Sequence, residues 1–444
     1  MNDFLKKLMA AAKEAGIDAC EAYIVERDSF RAMVTKGEVT EFNTNATHGL
    51  GFRGLKDGKM GYASTEAFDD EAVAQLVRGV VESAELSEDT DPVFLYDGKE
   101  DVPELNLIND ELANLDVETK IARVQEMEKT VKAYDPRIDK TARNMVSTNR
   151  HTIRIVNSYG MDRSFTEDMC VMYGQATAKE NGQIATGFFG KGGRSFDVLD
   201  AKVIGEEVAK SAVENLGASQ IPSGSYRVII NRGAMADLLQ TFCGIFSAET
   251  AQKGMSLLKG RVGEKIAADC ITIVDDPLLL AGLEARPFDA EGVPSKMHTV
   301  VDKGVFKTFL HNLKTAHKDG VETTGNASKA GYASAVHVSP SNFYIKSGEK
   351  SFDKLLADVG EGVVITDVSG LHAGANPVSG DFSLLSKGYT VKNGKREKPI
   401  EQITVAGNFY ELLKNARALA NDLDFELGGG SPSIDVGELS ISGC

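Results

Sequence analysis

Along MNDFLKKLMAAAKEAG, the residues Phe4, Leu5, Leu8, Met9, Ala12 and Ala15 recur at helical spacing. Side chains three and four positions apart share one face of an α-helix, so the chain should open with an amphipathic helix. The runs EAYIVERDSFRAMVTKG and GLGFRGLKDGKMGYAST then alternate apolar with polar, the pattern of strands that bury one face. Asp57-Gly58 tolerates the positive φ angles of a tight hairpin turn, so the second run folds back there. Helical spacing returns in EAFDDEAVAQLVRGVVESAEL, with Val73, Leu76, Val77, Val80 and Val81 on one face. The acidic stretch from Glu85 to Glu104, broken by Pro92 and Pro103, reads as a linker.

A second region opens with VETKIARVQEMEKTVKAY, where Ile121, Val124, Met127 and Val131 form a helical stripe that stops at Asp135-Pro136. Strands are expected over 138–147, 151–157, 165–178 and 183–190, with turns at 157–160 and at Asn181-Gly182, and a helix over 199–215 closes the region. Helix, strands and helix thus occur twice, which suggests related architecture, although no residue-level repeat supports duplication. The third region follows GASQIPSGS. It should hold a strand, YRVIINR, helical segments through AMADLLQTFCGIFSAETAQKGMSLL, and strands near 271–275, 298–311 and 363–368. A hairpin turning at Asn393-Gly394, a helix near 408–419 and an alternating tail complete it. Without clean βαβ alternation the fold class is α+β, antiparallel sheets with flanking helices. An N-terminal α+β region (1–105) and a middle α+β region (106–220) precede a larger β-rich C-terminal domain (221–444).

Charge narrows the partners. The 49 Lys and Arg stand against 65 Asp and Glu, a net charge of -16, which opposes direct contact with nucleic acid. The densest basic cluster, KNGKREK at 392–398, holds an Asn-Gly turn and reads as a solvated hairpin tip. No run approaches the roughly 20 apolar residues of a membrane span, and the opening helix lacks the features of a signal peptide, so a soluble cytoplasmic protein is expected. Cys20, Cys170, Cys243, Cys270 and Cys444 are scattered, odd in number and without a CxxC pair, and read as reduced thiols.

Catalytic residue types crowd into SGLHAGANPVSGDFSLLSKGY at 369–389, where His372, Asp381 and Ser383 share one glycine-rich stretch. A triad is defined by mutual geometry, however, and the chain has no GxSxG elbow. The plainer reading is that Gly370, Gly374 and Gly380 permit tight turns while Asp381 and Ser383 bond backbone amides. HExxH is absent, and His298, His311, His317 and His337 have no ligand spacing on a helix face. GFFGKGGRSFD at 187–197 lacks the order of a phosphate-binding loop.

Four blocks carry a resemblance: THGLGFRGLKDGKMGYAST; the run from KGMSLLKGRVGEKIAADC to KTFLHN; VSGDFSLLSKGYTVKNGKREKPIEQITVAGNFYELL; and GGGSPSIDVGELSISG. Together they resemble the TldD/PmbA family over essentially the whole chain. The resemblance implies proteolysis or maturation of small unfolded peptides, and the family also carries the label of modulator of DNA gyrase. The TldD branch bears a HExxxH helix and a downstream cysteine as zinc ligands. The comparable helix here, 239–244, reads LQTFCG, and the C-terminal segment reads FELGGGSPSID. The chain therefore resembles the PmbA or TldE branch. This implies no zinc or other cofactor on this chain, no catalytic or metal-ligating residue of its own, and a zinc-bearing TldD-like partner in a heterodimer. A homodimer with a self-sufficient peptidase site and a non-enzymatic gyrase regulator are the alternatives. His372, Asn376, Gly380, Asp381 and Ser383 then form a loop that shapes a cavity wall or subunit contact, where Leu371 and Val378 could be covered.

Overall fold

The alternation in the first two regions continues across a single sheet. The computed structural model describes residues 1–88 and 91–444. The first part comprises α1 (Asn2–Glu14), β1 (Ala19–Thr35), β2 (Glu38–Lys56), β3 (Lys59–Thr65) and α2 (Asp70–Leu86). The second comprises α3 (Asp110–Ala113), α4 (Val117–Tyr134), β4 (Ile138–Asn157), β5 (Asp162–Glu180), β6 (Gln183–Gly193) and α5 (Ala201–Val213). The six strands form one sheet in the order β3-β2-β1-β4-β5-β6. Regions separated in sequence by residues 87–109 are thus joined in space, because β1 pairs with β4 from Glu21↔Asn157 to Val34↔Asn144. That connecting stretch is packed at Leu95 and Leu107, 8% and 2% exposed. Asp89 and Thr90, within the expected linker, lie outside the described residues.

Parity along β1 explains the layers. Successive strand side chains point to opposite faces. Cys20, Ala22 and Ile24 pack under α1 and α2 with Leu50 and Phe52. Further along the same face, Phe30, Ala32 and Val34 pack against Val124, Met127 and Val131 of α4 and Ile204 and Val208 of α5. The odd positions point the other way: Tyr23 and Val25 meet Phe288 and Ala327 of the C-terminal domain. Glycines in THGLGFRG let this second face be approached closely. A Cβ on Gly51 would lie 1.9 Å from the Tyr332 carbonyl oxygen.

The C-terminal domain runs β7 (Gly224–Ile230), α6 (Arg232–Phe242), α7 (Ala248–Gln252), β8 (Ile273–Asp275), β9 (His298–Asp302), β10 (Val305–Phe306) and α8 (Leu313–Asp319). It continues with β11 (Ala327–Ser328), β12 (His337–Val338), β13 (Phe343–Ile345), α9 (Phe352–Val359), β14 (Gly362–Ser369) and α10 (Leu371–Gly374). β15 (Asp381–Lys392), β16 (Lys395–Asn408), α11 (Phe409–Asn415), β17 (Ala418–Leu419) and β18 (Ile434–Ser442) end it. The larger sheet has the order β16-β15-β14-β7-β18-β17, and a β16–β18 pairing closes it on itself. β7 and β14 run parallel within this mostly antiparallel architecture. The α+β class is therefore the observed one.

Four local expectations change. The runs 138–147 and 151–157 are one strand, β4, because the intervening polar residues pair across the sheet, Arg150 opposite Asp168. The run 298–311 stops as a ladder at Phe306, and the helix expected over 408–419 ends at Asn415. The hairpin at Asn393-Gly394 turns with φ of 52° and 70°. Its tip is not simply solvated, since a Cβ on Gly394 would sit 2.7 Å from the Ala357 Cα of α9.

Candidate functional site

The glycine-rich loop after β14 is built by its own backbone. Gly370 adopts a φ of 80°, α10 makes one turn, and the Asn376 side chain accepts hydrogen bonds from the Val378 and Ser379 amides at 3.0 and 3.2 Å. The Gly380 amide donates to the Asn376 carbonyl at 2.9 Å. The Asn408 amide group donates to the Asp381 carboxylate at 2.8 Å, and this bond holds the Asp381 pKa below its ordinary value. Asn376, Gly380 and Asp381 are thus brought together as a turn. His372 and Ser383 are exposed, and among the described residues no hydrogen bond joins His372 to Asp381 or to Ser383. Leu371 packs against the main core, whereas Val378 is 40% exposed.

α10 rests on α6, which carries the LQTFCG segment. Asn231 caps α6 by accepting from the Ala234 amide at 2.9 Å. Its apolar stripe, Ala234, Met235, Leu238, Leu239 and Phe242, fills the core, and Phe242 stacks on Phe409 at 4.7 Å. By the resemblance drawn from the sequence, the HExxxH positions of the TldD branch fall on Leu239, Gln240 and Gly244. Leu239 is 1% exposed, Gln240 faces out and Gly244 bears no side chain. The glycine run near the C terminus does return to this helix: a Cβ on Gly429 would lie 3.4 Å from the Gln240 Oε1. Burial raises the Cys243 thiol to about 11, against what a thiolate ligand requires. Zinc does not fit these residues. Among the described residues no group of three or more His, Cys, Asp or Glu is placed to hold a metal ion.

A second concavity lies between the odd face of the N-terminal sheet and the C-terminal domain. Its floor is two cross-strand rows, Val25, Ile153 and Phe165, then Arg27, His151 and Glu167. Residues 284–290 and 327–332 form the opposite wall, and the cavity measures about 410 Å³. Lys329 lies over the Tyr23 ring, 4.7 Å from its centroid. Burial lowers the Lys329 pKa to about 8. Arg286 projects here with buried Nε and Nη2 atoms that lack a hydrogen-bond partner, as does His151 Nε2. His151 Nδ1 lies 3.6 Å from Glu167 Oε1. Asp289 accepts from the Glu291, Val293 and Ala327 amides, each at 2.9 Å. Burial first, and the nearby Glu291 second, raise its pKa to about 7.

Behind this cavity runs a buried ion cluster. Arg53 Nε donates to Glu21 Oε1 at 2.8 Å and Nη1 reaches Glu291 Oε1 at 3.3 Å. Arg194 donates to the carbonyls of Leu280, Gly282 and Leu283, tying β6 to the C-terminal domain. A larger concavity of about 590 Å³ lies at the far end of the same sheet. Within it Arg150 is bonded to Asp168 at 2.8 Å.

Comparison with family models matches the PmbA/TldA metallopeptidase domain 1 at residues 20–84, the central domain at 110–216 and the C-terminal domain at 223–443. The chain belongs to the TldD/PmbA metallopeptidase family. A Haemophilus influenzae metalloprotease PmbA homolog is 28% identical over 94% of this chain and 90% of its own length. A Thermotoga maritima structure, described as a modulator of a DNA gyrase, superposes with a TM-score of 0.93 at 32% identity, covering 99% of this chain and 100% of that one. TldE from Thermococcus kodakarensis shares the fold, with a TM-score of 0.90 at 22% identity and coverage of 99% and 100%. No described helix is long and apolar enough to cross a membrane.

Sequence reasoning missed Arg286, Lys329 and His151. Arg286 lies within the family block ARPFDAEGVPSK, and that was the available signal. His151 opens the run expected as a strand over 151–157, and Lys329 belongs to no motif quoted from the sequence.

Proposed function

We propose that this chain is the zinc-free subunit of a TldD/PmbA-type peptidase, pairing with a zinc-bearing TldD-like chain to process small unfolded peptides in the cytoplasm. The packing of α6 carries this reading. At the position of the first histidine in the related zinc helix, Leu239 is a core residue, so a ligand there would have to leave the core. Hydrolysis in this reading belongs to water activated on the partner's zinc.

An open strand edge supports the peptide-handling part. β2 pairs with β1 from Glu38 to Leu55, but β3 covers its other side only from Leu50. Residues 38–48 are exposed. An unpaired edge of this kind can add an extended peptide through main-chain hydrogen bonds, which read many sequences.

The test is cleavage of an unfolded peptide by this chain, by a TldD-like chain, and by the two mixed, each with and without a zinc chelator. Activity confined to the chelator-sensitive mixture is expected. Cleavage by this chain alone would overturn the reading.

A further inference from the structure

We infer that the cavity between the N-terminal sheet and residues 284–290 and 327–332 is a binding site for a carboxylate carried on an apolar group. This needs only the present chain and stands apart from any partner subunit.

Arg27, His151, Arg286 and Lys329 all line the cavity. Two guanidinium nitrogens of Arg286 and Nε2 of His151 are buried without a partner, and no hydrogen bond to Lys329 Nζ is found among the described residues. Buried polar groups are ordinarily satisfied, and an unmatched guanidinium is the costlier case. A ligand with two coplanar oxygens matches the fork of an arginine side chain. His151 is already oriented, its Nδ1 facing Glu167 at 3.6 Å, so that Nε2 is the ring nitrogen left for a ligand.

The surroundings limit the charge and shape of that ligand. Arg27, Arg286 and Lys329 line the cavity together with the carboxyl groups of Glu167, Glu284 and Asp289, so the wall can accept little added negative charge and a monoanion is favoured over a dianion. Val25, Ile153, Phe165 and Phe288 supply apolar walls. The volume of about 410 Å³ lies within the range of small-molecule sites. A phosphate ester is therefore disfavoured, and a carboxylate beside an apolar side chain is favoured. It can come from a peptide C terminus or from a free small acid.

Isothermal titration of the full chain with N-acetylphenylalanine, its amide and phenyl phosphate tests the inference. The acid should bind about tenfold or more tightly than the amide, as loss of a charge-assisted hydrogen bond predicts. Arg286→Gln should abolish that preference while thermal unfolding shows the variant folded. Should that variant fail to fold, Lys329→Gln replaces it, with a smaller loss of preference expected. Equal binding of acid and amide, no binding of either at millimolar concentration, or tighter binding of phenyl phosphate would overturn the inference. A tripeptide ending in phenylalanine, with a free or an amidated C terminus, separates the sources. Tighter binding of the free-ended tripeptide than of N-acetylphenylalanine assigns a peptide terminus, and the reverse order assigns a small acid. Both orders uphold the inference only alongside the acid-over-amide preference.

Discussion

The helix α6 and the cavity beneath the N-terminal sheet are both built from a regular element facing a loop, but they present opposite chemistry. At α6 the helix directs Leu239 and Phe242 into the core and presents Gln240 to a run of glycines. At the sheet, strand parity places apolar residues toward the helices and sends Arg27, His151 and Glu167 as a row into the cavity, opposite Arg286 and Lys329. At α6 the positions that resemble the TldD branch's HExxxH motif hold a leucine, a glutamine and a glycine. The cavity holds donors in excess of acceptors. Shape within a family thus persists where packing requires it, while chemistry depends on a few side chains that packing leaves unconstrained.

The largest effect should come from the charged layer behind the cavity. Arg53→Met leaves Glu21 and Glu291 buried without their cation and should cost about 3–5 kcal/mol in urea unfolding. A cost under about 1 kcal/mol would mean that Glu21 and Glu291 do not depend on Arg53 as their buried cation. Leu239→Ala, in α6, should cost about 2–5 kcal/mol by leaving a cavity in the core. Gly51→Ala should cost about 1–3 kcal/mol, because the added methyl meets the Tyr332 carbonyl at the cavity's rim. Little change would show that segment 329–334 can yield.

A pH profile sharpens the comparison next. Folded Asp289 holds its proton up to about pH 7, whereas the unfolded chain releases it near the ordinary carboxyl value of about 3.9. The folded state binds more protons in that interval, so this residue makes stability fall as pH rises from about 4 to 7. Asp289→Asn should flatten that part of the urea-unfolding profile, and an unchanged slope would remove Asp289 from the account. The smallest effects belong to exposed positions. Gln240→Ala and Ser383→Ala should each change stability by less than about 0.5 kcal/mol. In the mixed peptidase assay, Ser383→Ala should leave cleavage unchanged.

Much of this fold was legible because its patterns are long. The helical stripe of α1 and the hairpins at Asp57-Gly58, Asn181-Gly182 and Asn393-Gly394 follow from local spacing and turn chemistry. β4 was expected as two strands with a break at 148–150, but those residues stay extended because they pair with both β1 and β5, and Arg150 also bonds Asp168. The cavity was hidden for a related reason. Asp275 ends a run expected as a strand, and Asp289 and Glu291 lie in a segment with no expected element; the three are 1%, 2% and 3% exposed. Their burial is made possible by backbone amides and by Arg53, contacts separated by up to 238 residues in sequence that no local pattern displays.

The pairing of β1 with β4 has a consequence for how the chain comes apart. A cut placed between Leu86 and Asp110 would sever the backbone but leave the fourteen-residue ladder from Glu21↔Asn157 to Val34↔Asn144 in place. Each piece made separately would carry a raw strand edge that the other covers. The two should therefore recombine into the whole, making that stretch a natural place to divide the protein into complementing halves.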